Sequence, residues 1–107
     1  MYKVIILPSA KQDIKEAAYW YNSRQKGLGK RYTMQVRQTI NFLKKNHFAF
    51  ANRYDEIRTA IVEVFPFMVH YKVDNVKKLI IISAVLHTSR SPDLWITDRE
   101  DPSAPTI

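Results

Sequence analysis

The run LIIISAVL, from Leu79 to Leu86, is the most apolar stretch of the chain and decides how its sheet is built. Its apolar residues do not alternate with polar ones, which indicates a strand that is covered on both faces. Such a strand belongs in the middle of a sheet, with helices packed over one side. Because the run ends abruptly at His87, side chains that follow it are presented from a rigid position.

Two further strand-like runs precede this one, at residues 56–65 and 66–73. In the second run, apolar and polar residues alternate, which is the period of a strand with one buried face. Pro66 lacks the N–H that a β-ladder needs, so it separates the two runs. Asp74 and Asn75 fit a tight turn into the last strand. These signals predict three consecutive antiparallel strands.

The amino-terminal segment predicts a strand followed by a helix. Residues 2–7, YKVIIL, are rich in β-branched side chains and are followed by Pro8, which cannot donate to a ladder. Ser9 is a natural N-cap, Gln12 completes a capping-box pattern, and Asp13 lies in the first turn, where the helix dipole favours negative charge. One face of this helix is apolar at four positions with helical spacing: Ile14, Ala17, Ala18 and Tyr21.

A second helix is predicted from about Lys30 to Asn46, after a hairpin marked by Gly27 and Gly29, which are the only glycines in the chain. Its apolar stripe consists of Tyr32, Val36, Ile40 and Leu43. The basic residues fall largely outside that stripe: Lys30, Arg31, Arg37, Lys44 and Lys45. The second helix is therefore amphipathic and basic.

The predicted order of elements is β-α-α-β-β-β, which is typical of an α+β domain. We expect an N-terminal strand, a two-helix hairpin and then a three-stranded antiparallel meander, forming one small sheet with the helices on one face. Residues 1–97 are expected to form a single domain. Residues 98–107 contain two prolines and an acidic cluster, which predict an extended or frayed tail.

The composition is that of an ordinary globular protein. No apolar run approaches the roughly 20 residues that span a bilayer, and the amino terminus has no room for a signal peptide. The chain has no cysteine, which excludes disulfides and thiolate metal sites and is compatible with a reducing compartment. We therefore expect a cytoplasmic protein that does not associate with membranes.

The formal net charge of +7 is distributed unevenly along the chain. Residues 1–50 contain ten Lys+Arg and two Asp+Glu, a net +8, whereas residues 51–107 contain seven and eight, a net −1. The basic half favours encounter with nucleic acid, ribosomes or an acidic protein partner, although such a field carries no specificity. A basic surface that only keeps the protein soluble is the alternative.

The end of the last strand carries residues that bind phosphate and transfer protons. His87 and Arg90 lie there, and Arg58 and Lys72 come from neighbouring strands whose register the sequence leaves open. A histidine exchanges a proton near neutral pH, and a cation stabilises charge that builds on a phosphate. These four residues together are the minimum for RNA cleavage by the ribose 2′-hydroxyl.

Each of these residues also has a structural interpretation. His87 is then a hydrogen-bonded residue at a strand end, Arg90 pairs with Asp93 on the surface, and Trp95 closes one end of the core. His70 and Lys72 then belong to the solvated face of their strand. The three histidines are scattered and two glycines do not make a phosphate loop, so we expect no metal and no cofactor.

Several segments, taken in order, resemble the RelE/ParE superfamily of bacterial toxins, the toxic halves of type II toxin–antitoxin pairs. The similarity covers residues 2–95, and its most specific pieces are Ile57-Arg58, the FPF-x-V-x-Y of residues 65–71, and the His-x-x-Arg-x-Pro-x-x-Trp of residues 87–95. The resemblance implies a toxin that a small antitoxin neutralises. RelE-like members cut mRNA in the ribosomal A site, whereas ParE-like members poison DNA gyrase.

The chain departs from the ribonuclease branch, whose second strand resembles Lys-x-Lys and whose third strand carries an arginine after an aromatic residue. The matching positions here are Arg58, Ala60 and Met68. Losing a positioned cation from a phosphoryl-transfer site typically costs several kcal/mol of transition-state stabilisation. The His-x-x-Arg-x-Pro-x-x-Trp ending is itself more ParE-like, so the resemblance favours the ParE branch.

Three functions remain open on this basis. In a ParE-like gyrase inhibitor, the contact residues would be Arg58, Lys72, His87, Arg90 and Trp95. In a metal-independent endoribonuclease acting on ribosome-bound mRNA, His87 would exchange the proton while Arg58, Lys72 and Arg90 steady the phosphate. The third possibility is a nontoxic binding module of the same fold.

For the antitoxin, we expect an amphipathic helix or an extended strand that carries acidic residues. It would dock over the basic helical half of the chain, near Lys30, Arg31, Arg37 and Lys44. The affinity should fall with salt, because exposed charges are screened over about 8 to 10 Å.

Overall fold

The computed structural model describes residues 2–89 of the chain. Its elements are β1 (Lys3–Ile6), α1 (Pro8–Arg24), α2 (Leu28–Asn46), β2 (Asn52–Tyr54), β3 (Ile57–Ile61), β4 (Phe67–Asp74) and β5 (Leu79–His87). Arg90, Trp95 and the predicted tail at residues 98–107 lie outside the described residues. Neither helix in the described part combines the length and the apolar character needed to cross a bilayer.

The five strands form one mixed sheet in the order β1-β5-β4-β3-β2. The predicted α+β class and the antiparallel pairing of β3, β4 and β5 are confirmed. Two features correct the predicted sheet: β1 pairs in parallel with β5, and β2 is a further strand antiparallel to β3. No strand was predicted between the second helix and residue 56, because the three residues of β2, NRY, are too few to show alternation.

The apolar run at residues 79–86 forms β5, which is an interior strand as predicted and lies between β1 and β4. Ile80, Ile82 and Val85 are buried under the helices, while Ala84 and Leu86 are buried in a smaller cluster on the other face. Ile81 is only half-buried, so the expected cover on both faces is restricted to the carboxyl-terminal half of the strand.

A bulge in β5 separates these two halves. His70 of β4 is opposite Ala84, but the next residue, Tyr71, is opposite Ile82. Ser83 is therefore the extra residue, and it changes which side chains face the helices. After the bulge, the face that carries Val85 and His87 is the helix side.

The start of α1 differs from the predicted capping box. The helix begins at Pro8 with Leu7 as its N-cap residue, and no side chain caps it, which fits the preference of proline for the first helical turn. The Oγ of Ser9 donates instead to the carbonyl oxygen of Ser83, at 2.8 Å, and Gln12 donates to Glu16. The polar residue at the helix start is thus used to attach α1 to the bulge of β5.

The predicted hairpin between the helices is confirmed. Gly27 precedes α2 with a φ of 85°, which is the left-handed conformation that glycine adopts without strain. Gly29 lies at a close approach of the two helices: a Cβ atom there would collide with the carbonyl oxygen of Ala18. The N–H of Gly29 donates to the side chain of Asn22, at 2.8 Å.

The helical hairpin covers one face of the sheet. The predicted stripe of α2 is confirmed, since Tyr32, Val36, Ile40 and Leu43 are all buried. The ring of Tyr32 lies within 5.4 Å of those of Tyr21, Phe65 and Phe67, centroid to centroid. This aromatic cluster closes the end of the core next to the start of β4.

Candidate functional site

His87 is exposed at the end of β5 and makes local contacts. Its Nδ1 accepts a hydrogen bond from the backbone N–H of Ser89, at 3.1 Å, and lies 2.7 Å from the hydroxyl of the same residue. Its ring packs edge-on against Phe67, with the centroids 5.3 Å apart. His87 therefore has the hydrogen-bonded, strand-end environment of a structural histidine, although the side chain remains accessible.

The surroundings of His87 are acidic rather than basic. It lines a shallow cavity of about 290 Å³ together with Asp13, Glu16, Ala17, Phe67, Val85 and Leu86. No described cation lines this cavity. Two carboxylates disfavour a phosphate by like-charge repulsion, so the cavity lacks the charge that a phosphoryl-transfer site requires.

Arg58 lies elsewhere on the helix side of the sheet and contacts the loop after α2. Its Nη1 donates to the carbonyl oxygen of Phe50, and the guanidinium is 5.0 Å from the centroid of the Phe48 ring. In the register, Arg58 is opposite Tyr71, whereas His87 is opposite Phe67. Four residues along a strand span roughly 13 Å, and two strand spacings add about 10 Å sideways, so Arg58 and His87 share no pocket.

Lys72 lies on the opposite face of the sheet. Its neighbour Tyr71 is buried beneath the helices, and successive side chains of a strand point to opposite faces. The Nζ of Lys72 is 3.8 Å from a carboxylate oxygen of Glu56 in an exposed ion pair. The structure therefore does not bring Arg58, Lys72 and His87 together, and the pocket expected from the sequence is not formed by these residues. Arg90 and Trp95 lie beyond the described range.

His70 corrects the expectation of a solvated residue, because it is fully buried. It lies on the face away from the helices, between Thr59 of β3 and Ala84 of β5. The Nδ1 atom is 3.0 Å from the hydroxyl of Tyr54, which belongs to β2. The sequence did not reveal this burial because no strand was predicted at the position of Tyr54.

The basic surface of α2 is present as predicted. Lys30, Arg31, Arg37 and Lys44 are all exposed, as is Lys45. Within residues 2–89, none of these side chains takes part in an ion pair. Their charge is therefore available to a partner of opposite sign.

Three exposed aromatic residues of the helices, Tyr19, Trp20 and Phe42, were not predicted as part of a site. Tyr19 and Trp20 are 79% and 51% exposed on α1, and the guanidinium of Arg24 lies 4.8 Å from the Trp20 ring centroid. Phe42 of α2 is 48% exposed in a groove of about 320 Å³ beside β3. The available signal was positional, since these aromatic side chains fall outside the apolar stripes of their helices.

Among residues 2–89, no three potential metal ligands lie close enough to bind a metal ion. This agrees with the separate locations of the histidines: His47 ends α2, His70 is buried under β2, and His87 is at the tip of β5.

Comparisons with known proteins agree with this fold. Residues 4–92 match the family model described as "ParE toxin of type II toxin-antitoxin system, parDE". Among solved structures, a chain of the chromosomal ParDE TA system from P. aeruginosa is similar with a TM-score of 0.73 and 17% sequence identity. The match covers 83% of this chain and 98% of that one. No curated protein sequence matches the chain.

Proposed function

This chain belongs to the ParE family of toxins from type II toxin–antitoxin systems, and we propose that it acts in the cytoplasm by binding DNA gyrase and does not cut RNA. The separation of Arg58, Lys72 and His87 supports binding rather than cleavage. Phosphoryl transfer needs a proton-transferring group and a cation at the same phosphate. A binding surface has no such requirement.

His87 and Arg58, the two candidate residues that lie on the helix side of the sheet, do not have the surroundings of a catalytic pair. His87 is accessible beside Asp13 and Glu16, whereas Arg58 is half-buried and bonded to Phe50. We therefore propose that His87, which is exposed at the end of β5, contacts gyrase together with Arg90 and Trp95, which follow it in the sequence. Arg58 would act indirectly, by holding the loop after α2 in place.

We further propose that an antitoxin neutralises the chain by covering α2. The exposed cations of that helix favour an acidic segment, and their charges are not matched by carboxylates in the described part of the chain. The similar solved chain is part of a ParDE system, which is consistent with such a partner. An adjacent gene for a short acidic protein would support the proposal before any binding assay.

The test is a pair of assays on the same purified protein. The first measures DNA supercoiling by gyrase, and the second measures cleavage of ribosome-bound mRNA. We expect inhibition of supercoiling and intact mRNA. Cleavage that is abolished by His87→Ala would overturn the proposal in favour of a ribonuclease, while inactivity in both assays and in growing cells would indicate a nontoxic binding module.

His87→Ala is paired with Lys72→Ala, which changes a cation on the opposite face of the sheet. If the end of β5 contacts gyrase, His87→Ala should weaken inhibition and Lys72→Ala should leave it unchanged. Equal effects of the two variants would contradict the assignment of the contact surface to that end of the sheet.

A further inference from the structure

The outer edge of β3 is only partly covered, because β2 is short. The pairing of β2 reaches Ile57 and Arg58 and stops there. Beyond Arg58, no described strand pairs with this edge, and Ile61 is 61% exposed. An uncovered edge is a template on which another extended chain can add.

The backbone geometry shows which groups are available. The N–H of Val62 donates to the carbonyl oxygen of Phe67, at 2.9 Å, which closes the turn between β3 and β4. In an antiparallel ladder, successive residues direct their N–H and C=O groups to alternate sides. The N–H and C=O of Ile61 therefore point away from β4, toward the uncovered edge.

A groove runs beside this edge, between β3 and α2. It has a volume of about 320 Å³ and is lined by Gln35, Gln38, Thr39, Phe42, Phe50, Ile61 and Glu63. The rings of Phe42 and Phe50 lie 6.2 Å apart, so the groove contains an aromatic wall. A strand added to β3 would direct every second side chain to the helix side, where one apolar residue would contact this wall.

The charge at the ends of the groove indicates the rest of the ligand. On α2, residues 35, 38 and 42 lie on one stripe, and the next positions of that stripe are Arg31 and Lys45. Both are exposed cations. An extended segment with acidic residues on either side of its apolar residue would complement these two cations, whereas the carboxylate of Glu63 inside the groove disfavours an acidic residue at the central, apolar position.

We propose that the β3 edge around Ile61, together with the groove of Phe42 and Phe50, binds an extended acidic segment of a partner protein as a sixth strand. This proposal rests on the proposed function, because the antitoxin would supply the segment. Of the two antitoxin elements expected from the sequence, an amphipathic helix or an extended strand, it favours the strand. A second copy of the chain fits poorly, because each copy carries a net charge of +7 and places basic residues of α2 beside the edge.

The probe is a synthetic peptide of alternating leucine and glutamate with blocked ends, titrated against the full chain. We expect saturable binding, protection of the Ile61 amide from hydrogen exchange, and a loss of affinity of about tenfold for Phe42→Ala. Tyr19→Ala is the matched control, because it removes an exposed ring on α1, away from the groove; its affinity should be unchanged.

Two modified peptides separate strand addition from other modes of binding. N-methylation of alternate residues blocks hydrogen bonding along one edge of an extended peptide, so one of the two methylation registers should abolish binding while the other retains it. Equal binding of both registers would overturn the proposal. A leucine–lysine peptide that binds as tightly as the leucine–glutamate peptide would refute the acidic character of the partner.

Two remaining outcomes also count against the proposal. A dimer of the chain that dissociates in Phe42→Ala would assign the edge to a second copy. If the peptide fails to bind but the same preparation inhibits gyrase, strand addition is refuted while the gyrase proposal stands. Peptide binding without gyrase inhibition supports the edge site and refutes the gyrase target.

Discussion

The carboxylate of Asp13 in α1 accepts a hydrogen bond from the backbone N–H of Val85 in β5, at 3.0 Å, between residues 72 positions apart. Val85 follows the bulge at Ser83, whose carbonyl oxygen accepts the hydroxyl of Ser9. Two side chains from the first turns of α1 therefore bond the irregular part of β5. This attachment sets the position of α1 over the end of the sheet that carries His87.

Replacing Asp13 by alanine should destabilise the fold by about 1 to 3 kcal/mol, because the N–H of Val85 loses its acceptor in a partly buried site. Asp13→Asn keeps an acceptor oxygen at this position, so it should cost less. Lys11→Ala, at an exposed position of the same helix, is the control and should stay within about 0.5 kcal/mol of the parent. Urea unfolding measures all three, and equal losses for Asp13→Ala and Lys11→Ala would contradict this role.

Gly29→Ala tests the close approach of the helices. Alanine normally stabilises a helix relative to glycine by about 1 kcal/mol. Here we expect the opposite sign, a loss of about 2 kcal/mol, because the added methyl group collides with the carbonyl oxygen of Ala18.

Gly27→Ala is the matched comparison for Gly29→Ala. A Cβ at Gly27 meets no atom within 4 Å, so only its positive φ disfavours alanine, by about 1 kcal/mol. Replacing Asn22 by alanine in the Gly29→Ala variant should not restore its stability, because the added methyl group still collides with the backbone carbonyl oxygen of Ala18. A Gly29→Ala variant more stable than the parent would show that the helices separate without loss.

Stability at alkaline pH should depend on Tyr71. Burial raises the pKa of the Tyr71 hydroxyl to about 12, partly opposed by nearby Arg58, whereas an unfolded chain has a tyrosine pKa near 10. A raised folded-state pKa contributes stability that is complete below about pH 10 and is lost as the pH rises to about 12. We expect this loss to approach roughly 2 kcal/mol for Tyr71 alone.

Urea midpoints between pH 8 and pH 12 measure this effect. Tyr71→Phe should be less stable near neutral pH, because the hydrogen bond to the carbonyl oxygen of His47 is lost, but its stability should fall less steeply above pH 10. Burial also raises the pKa of Tyr32, so some slope should remain. Tyr19→Phe, at a position 79% exposed, should follow the parent curve. Parallel curves for Tyr71→Phe and the parent would contradict the assignment.

Arg58→Lys should loosen the loop after α2 although it keeps the charge. Lysine cannot reproduce both the hydrogen bond to Phe50 and the stacking over Phe48, so we expect a loss of about 1 kcal/mol. Faster hydrogen exchange in residues 47–51 is the direct measurement. Arg53→Lys, at an exposed position of β2, should leave that exchange unchanged; similar acceleration in both variants would refute a specific role for Arg58.

Binding of the proposed antitoxin should depend on charge at α2. Arg37→Glu should weaken the complex and reduce the dependence of its affinity on salt, because an exposed attraction is replaced by repulsion. Lys77→Glu makes the same change of charge in the turn between β4 and β5. Calorimetry at low and high salt distinguishes them, and an affinity that is indifferent to salt would contradict a charge-driven interface.

Elements whose signal is local were predicted from the sequence. The stripe from Tyr32 to Leu43 faces the core as predicted, and the alternation of β4 correctly placed Val69 and Tyr71 under the helices, although His70 on the other face is buried as well. The glycines at 27 and 29 mark a conformation and a close approach that other residues do not tolerate. Each of these patterns repeats within one element, so no knowledge of its partners was needed.

The features that the sequence did not predict depend on contacts between residues that are distant in sequence. The strand β2 exists because β3 pairs with it, and His70 is buried because that same strand brings Tyr54 over it. The predicted capping box is wrong because the hydroxyl of Ser9 donates to the carbonyl oxygen of Ser83 and does not cap its own helix. A strand of three residues, such as β2, and a single hydroxyl, such as that of Ser9, show no periodic pattern from which these contacts could be predicted.

By itself, the sequence determined the α+β class, the basic amphipathic helix and the interior strand, since apolar spacing is set by which side of each element avoids water. Only the tertiary structure decided where Arg58, Lys72 and His87 lie relative to one another. A shift of one residue in a strand moves a side chain to the other face, and register is set by pairing rather than by composition. The bulge at Ser83 is such a shift, and it places His87 beside Asp13 and Glu16.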